Sequence, residues 1–190
     1  TGRVINDPAN PAVLSGFVNG QRIKYRGIQG TVNYDLPVRV GGMLDGRFSV
    51  GADALYTLYR LNDITGVAPT PSHGVLGDPQ FAGQLRLRYT DKKWGVNTTI
   101  NYVGEQLFAR TNREPGVAGS GLDARELDSI EDYAIVGAGI FFDPTERFRF
   151  TVSVNNVFNY QGMEYMGVLV PASYVDLLGR RFAASARVRF

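Results

Sequence analysis

The 190 residues contain no cysteine, one histidine and one tryptophan. Without thiols there is no disulfide framework and no thiolate metal site. His73 alone falls short of the ligand cluster that a zinc site draws on. Charge of one sign is also lacking: 20 Lys and Arg against 18 Asp and Glu leave a net +2, which gives no support to a nucleic-acid or general polyanion binder. No run approaches the roughly 18 apolar residues that a membrane helix needs, although 44% of the chain is hydrophobic. A membrane role therefore requires strands, and a mean hydropathy of -0.13 fits strands that keep one face polar. A positively charged, apolar leader is missing from the start, as expected of a mature exported protein or of the tail of a longer chain.

Glycine (23), phenylalanine (11) and tyrosine (10) are plentiful, a composition of strands, turns and aromatic pairing. Alternation places strands at roughly 22–36, 47–61, 79–90, 94–106, 132–142, 147–158 and 179–190, and residues 1–5 are a candidate eighth. In the last strand Phe182, Ala184, Ala186, Val188 and Phe190 share one face, opposite Arg181, Ala183, Ser185, Arg187 and Arg189. The first strand slips phase near Arg26-Gly27, the mark of a bulge or of a stretch above a bilayer. Small residues on both faces leave the phase of 132–142 open, and Gly137-Ala-Gly139 within it reads as close packing and not as a phosphate loop.

Short and long connections alternate. Asp91-Lys92-Lys93 and Asp143-Pro144-Thr145-Glu146 are tight polar turns, whereas 62–78, 107–131 and 159–178 are long; the link 37–46 is longer than a tight turn. Outer-membrane barrels alternate in this way, with short periplasmic turns and long extracellular loops. If the tight turns are periplasmic, Tyr34, Phe48, Tyr89, Trp94, Phe148 and Phe190 gather on the apolar face at that end, a candidate aromatic girdle, and Phe142 joins them if its strand takes the even-numbered phase. On the opposite face Arg86, Arg88, Arg147, Arg149, Arg187 and Arg189 form a basic lumen patch, which calls for water or an acidic partner. The 107–132 stretch carries Glu114, Asp123, Glu126, Asp128, Glu131 and Asp132 among Arg110, Arg113 and Arg125, which reads as an ordinary solvated loop more readily than as a device to attract a cation or metal complex to the outer mouth.

The C-terminal stretch resembles a known family. Phe150-Thr-Val-Ser-Val-Asn-Asn-Val-Phe-Asn-Tyr160 is similar to the penultimate strand of TonB-dependent outer-membrane receptors, with Asn156-Val157-Phe158-Asn159 at the family's Asn-Leu-Phe-Asp/Asn. Tyr160 and Tyr165 bracket the family's following tyrosine, and Gly179-Arg180 and Phe190 match its Gly-Arg and terminal Phe. Arg26-Gly27-Ile28-Gln29 resembles the family's Gly-Val-Glu strand, with Gln29 in place of the acid. The resemblance implies an all-β fold in which residues 1–190 are the C-terminal third of a transmembrane antiparallel barrel of about 22 strands, contributing about seven or eight of them. A plug domain and the N-terminal barrel strands would lie outside it. It further implies a receptor in the Gram-negative outer membrane that imports a scarce ligand, most often a ferric siderophore, with energy relayed by TonB–ExbB–ExbD. Its partners would be membrane lipid, the plug, the remaining strands and the barrel assembly machinery, for which the last strand from Phe182 to Phe190 would be the signal.

Other classes fare less well. A barrel lipase needs Ser and His in triad geometry, and Ser72 beside His73 in Pro69-Thr-Pro-Ser-His-Gly74 offers neighbours in a loop without a nucleophile elbow. Catalysis is therefore not expected, no cofactor is implied, and His73 reads as surface decoration. Arg110, Arg113, Tyr165 and His73 are available to a ligand, but no motif selects a binding set. A self-contained barrel of about eight strands, serving as an anchor or adhesin, is the structural alternative.

Overall fold

Alternating apolar and polar residues fold into strands that each carry two unlike faces, and in the computed structural model these strands join into one antiparallel sheet. The structure describes residues 22–41, 44–63, 70–108, 129–162, 164–165, 168–169 and 178–189. The elements are β1 (Arg22–Val40), β2 (Leu44–Asp63), β3 (Thr70–Pro71), β4 (Phe81–Thr90), β5 (Trp94–Val103), β6 (Gln106–Leu107), β7 (Ser129–Ile130), β8 (Tyr133–Thr145), β9 (Phe148–Asn155), β10 (Glu164–Tyr165), β11 (Val168–Leu169) and β12 (Arg181–Val188). The main sheet runs β1-β2-β4-β5-β8-β9-β12, so each long strand lies beside its successor, and β3 adds to the end of β2. Among the described residues the sheet is open, with β1 and β12 as its edges. Residues 1–5, the candidate eighth strand, and Phe190 lie outside the described residues.

Several boundaries differ from those expected. The link 37–46 is mostly strand: β1 and β2 stay paired to Val40↔Leu44, and Gly41 at φ +52° begins the reversal. Pro37 does not end β1: it stays in register opposite Arg47, and the pairing runs on to Val40↔Leu44. The turn placed at 143–146 also moves. β8 continues through Thr145 with a register shift between Phe142 and Thr145, and the reversal falls at Glu146-Arg147. β5 stops at Val103 and β9 at Asn155, short of the expected 106 and 158.

The phase slip near Arg26-Gly27 is a register shift at that step. Gly27 faces Thr57 and Arg26 faces Tyr59, so the extra residue is Leu58, on β2. β1 keeps its own alternation. A Cβ on Gly27 would stand 2.5 Å from the Tyr25 hydroxyl, so Tyr25 folds over Gly27 on that residue's face.

Packing follows from a single layer. Ile130 is the one fully buried hydrophobic residue among those described, while Ile28, Val32, Ile140, Phe150 and Val152 are each about half exposed or more. A soluble domain would cover such a face with a second layer. The small core that exists lies at the long-loop end, where Leu76, Phe108 and Tyr133 pack on Ile130. There the 72–80 segment is tied to β6: the Leu107 N–H donates to the Gly74 carbonyl at 2.8 Å and Leu76 N–H to the Leu107 carbonyl at 2.9 Å.

Candidate functional site

Cross-strand register decides which residues share a face, and it gathers one apolar surface across the sheet. Along one line Leu36, Phe48, Tyr89 and Val96 stand opposite one another in turn, and along another Trp94, Phe142, Phe150 and Ala186. Tyr34 and Phe148 lie on this same face, opposite Val50 and Val188. Tyr89 and Trp94 touch, with ring centroids 5.1 Å apart. Phe142 takes the even-numbered phase, because its neighbours Trp94 and Phe150 fix it. Of the last strand, Phe182, Ala184, Ala186 and Val188 line this surface opposite Val154, Val152, Phe150 and Phe148. The face also carries aromatics that the sequence reading did not single out, at the long-loop end: Tyr56 opposite Phe81, and Tyr102 with its ring 5.7 Å from Phe81. Their alternation was legible; their alignment at one height needed the register.

The opposite face is a hydrogen-bonded polar surface. The Ser49 hydroxyl donates to Asp35, Thr31 Oγ1 donates to Asp53 at 2.9 Å, and Gln84 Nε2 donates to Asn101 at 2.7 Å. Arg86 sits in this network, paired with Asp53 and donating to Gln84. Arg149 makes two parallel bonds to Asp143 at 2.7 and 2.6 Å and stacks over Phe141 at 4.5 Å. Two members of the basic patch thus have acids from their own sheet, which sequence alone did not reveal because the pairs depend on register. Arg88 donates to Thr90 at 3.2 Å. Arg147 occupies the reversal after β8, and Arg187 pairs in register with Arg149. Arg189 follows β12, its N–H on the Arg147 carbonyl at 2.9 Å. Among the described residues none of Arg88, Arg147, Arg187 and Arg189 has a carboxylate within ion-pair distance. Gly139 lies on this face under Asn97, whose side-chain oxygen would stand 2.8 Å from an added Cβ, whereas a Cβ on Gly137 would meet nothing nearer than 3.7 Å, so the close packing is at Gly139 alone.

The short-turn end is laced across hairpins. Asp45 accepts from Lys92 Nζ at 2.9 Å and pairs with Arg39 at 3.3 Å. Lys92, then Arg39, hold its carboxyl below the ordinary range, and the same contact raises Lys92. Asp91 is lowered first by the Lys92 N–H, at 2.6 Å, and then by the Tyr89 hydroxyl, at 2.9 Å.

At the long-loop end two sequence features resolve differently from expectation. His73 is 6% exposed, so it is not surface decoration; its Nδ1 accepts from the Arg60 N–H at 3.3 Å and its ring meets Tyr59. Within Asn156-Val157-Phe158-Asn159, Asn156 is 1% exposed and left-handed at φ 56°, its amide donating to the Tyr160 carbonyl at 2.6 Å and accepting from the Tyr160 N–H at 2.8 Å. Asn159, at φ 57°, accepts from the Arg180 N–H at 2.8 Å, which fixes where the chain enters β12. Tyr160 stacks on Tyr133 at 4.8 Å. Arg110, Arg113, Glu114, Asp123, Arg125, Glu126 and Asp128 lie outside the described residues, as does Phe190. The backbone of Tyr165 belongs to the β10–β11 pair. Among the described residues no helix is long and apolar enough to cross a membrane, and no three His, Cys, Asp or Glu gather as a metal site.

A family model described as TonB dependent receptor-like, beta-barrel matches residues 1–157. That match rests mostly on chain upstream of the stretch 148–190, where the sequence resemblance was most specific. No curated protein and no solved structure matches the chain.

Proposed function

Because this chain belongs to the TonB-dependent receptor β-barrel family, a family of outer-membrane transporters, we propose that it forms part of a receptor that imports a ferric siderophore. The observation that carries the membrane reading is the two-faced sheet: one face apolar over seven strands and uncovered, the other polar and internally bonded. Lipid satisfies the first face, and a plugged or water-filled lumen satisfies the second. The iron chelate is chosen on the family's usual cargo, and no residue described here selects it.

In this reading the short turns face the periplasm and the sheet is an arc of a larger barrel, continued by further strands at β1 and β12. Tyr34, Phe48, Tyr89, Trp94, Phe148 and Phe190 form the periplasmic girdle, and Tyr56, Phe81 and Tyr102 mark the outer interface. The plug would lie against the polar face, with Arg187 and Arg189 in contact with acidic residues of the plug, and TonB–ExbB–ExbD would drive its movement. The strand from Phe182 to Phe190 would be the signal read by the barrel assembly machinery. Deleting Phe190 should then lower the amount of receptor in the outer membrane without changing ligand affinity, as measured by quantitative blotting and binding.

Transport is tested by uptake of radiolabelled iron as siderophore complexes in iron-starved cells, with and without the gene and with and without TonB. The reading expects uptake of at least one chelate to need both. Equal uptake of every chelate in all strains would overturn the ligand assignment, while membrane insertion, scored separately by heat-modifiable migration, would still stand or fall by itself.

A further inference from the structure

We propose that the outer end of β1 is a binding site for lipid headgroups of net negative charge, made by Lys24 and Arg26 with Arg22 above them. The argument begins at the bulge. Since the extra residue is Leu58 on β2, β1 keeps alternating through the register shift. Tyr25 lies over Gly27 on the polar side, and so Arg22, Lys24 and Arg26 continue the row of Ile28, Val32, Tyr34 and Leu36 on the lipid side. The phase slip in the sequence is therefore a change in what the outward face meets.

Height identifies what that is. Ten residues separate Leu36 from Arg26. At ~3.3 Å per residue and a tilt of ~40°, Arg26 stands ~25 Å above Leu36 along the membrane normal, about the thickness of a barrel's apolar band. Lys24 and Arg22 rise ~5 and ~10 Å further, into the headgroup layer. Cations at this depth, on this face, meet lipid phosphates and not the lumen or a plug. All three side chains are exposed, and among the described side chains neither Lys24 nor Arg26 is within ion-pair distance of a carboxylate. Arg26 and Lys24 stand opposite Tyr59 and Leu61, so no acid faces either across the strand pair, whereas Asp63 stands opposite Arg22. The weight of the site accordingly falls on Lys24 and Arg26. Two long cations one pleat apart, ~6.6 Å, suit a headgroup with more than one anionic oxygen or two neighbouring headgroups.

The inference rests on the membrane orientation proposed above, and the experiment separates the two. The full-length receptor is purified in detergent and incubated with phosphatidylglycerol or with phosphatidylcholine of the same acyl chains; retained lipid is counted by native mass spectrometry. At roughly fivefold per surface cation, K24Q/R26Q should weaken phosphatidylglycerol retention by about 25-fold at low salt, and K24R/R26K should restore it. Phosphatidylcholine retention should be unchanged in both. Equal phosphatidylglycerol retention by wild type and K24Q/R26Q overturns the site. So does a loss that is the same for both lipids, since that shows no preference for a headgroup of net negative charge. If the membrane reading itself were wrong, the wild-type receptor would fail to float with vesicles or to show heat-modifiable migration; if only the orientation were wrong, a membrane-impermeant maleimide would label K24C in cells only after the outer membrane is opened.

Discussion

Replacing Asn156 tests whether the turn after β9 is held by one side chain. In Asn156→Ala both amide bonds to Tyr160 vanish, leaving a part-buried N–H and a part-buried carbonyl without those partners. Unsatisfied groups of this kind cost about 1–3 kcal/mol each, and partial water access at the loop puts the pair near 3 kcal/mol. The backbone adds a second penalty. Asn156 is left-handed at φ 56°, a conformation that costs alanine about 1 kcal/mol and glycine almost nothing. The total for Asn156→Ala is about 4 kcal/mol, against about 3 for Asn156→Gly. Asn156→Asp keeps the acceptor for the Tyr160 N–H and should rank between wild type and Gly. The midpoint of urea-driven loss of compact gel mobility, read on the full-length receptor, should therefore fall in the order wild type, Asp, Gly, Ala. Equal midpoints for Gly and Ala would refute the conformational argument. Wild-type midpoints for all three would refute the hydrogen-bond argument.

The remaining predictions address the two faces and the turns. Val152→Arg, at the middle of the apolar face, should destabilise the inserted barrel by about 2–4 kcal/mol, while Ser185→Arg on the polar face should cost much less; folding titrations into vesicles measure both, and equal effects would contradict the assignment of faces. Asp45 and Asp91 have lowered pKa values, so their contribution is present above the unfolded carboxylate range and is lost as pH falls through the folded values; Asp45→Asn should flatten the acid limb of a stability profile. Lys92 is raised, so its contribution is present below its unfolded value of about 10.5 and fades only as pH climbs through the higher folded one. Arg187→Glu should weaken plug retention with little change in barrel stability, whereas Arg149→Glu should disturb the barrel itself, because Asp143 would face a second carboxylate; unfolding and co-purification assays distinguish the two.

Much of this molecule is written locally. A strand's period of two is a property of the backbone, so alternating residues state which side chains share a face before any partner strand is known. That is why Phe182 to Val188, Phe148 to Val154 and Trp94 to Tyr102 could be divided into apolar and polar rows, and why the break in the row near Arg26-Gly27 located a register shift. Turn residues likewise located most of the reversals. Pro37 and Asp143-Pro144 misled, since a proline ends a strand only where its missing N–H or its ring meets a neighbour, and the register shift in β8 removes that conflict at Pro144.

What the strands face across the sheet was not local, and only tertiary structure decided it. Register set the phase of β8, where small residues on both sides carried no pattern. It also brought Asp53 to Arg86 and Asp143 to Arg149, so that part of a basic patch neutralises itself. Burial of His73 and Asn156 depended on segments distant in sequence meeting at the long-loop end. The bulge itself was announced by the sequence, but its placement on β2 was not, and that placement turns Lys24 and Arg26 toward lipid. Alternation is encoded residue by residue; pairing is a free-energy choice among whole strands, and it settles which charges find partners and which remain for the surroundings.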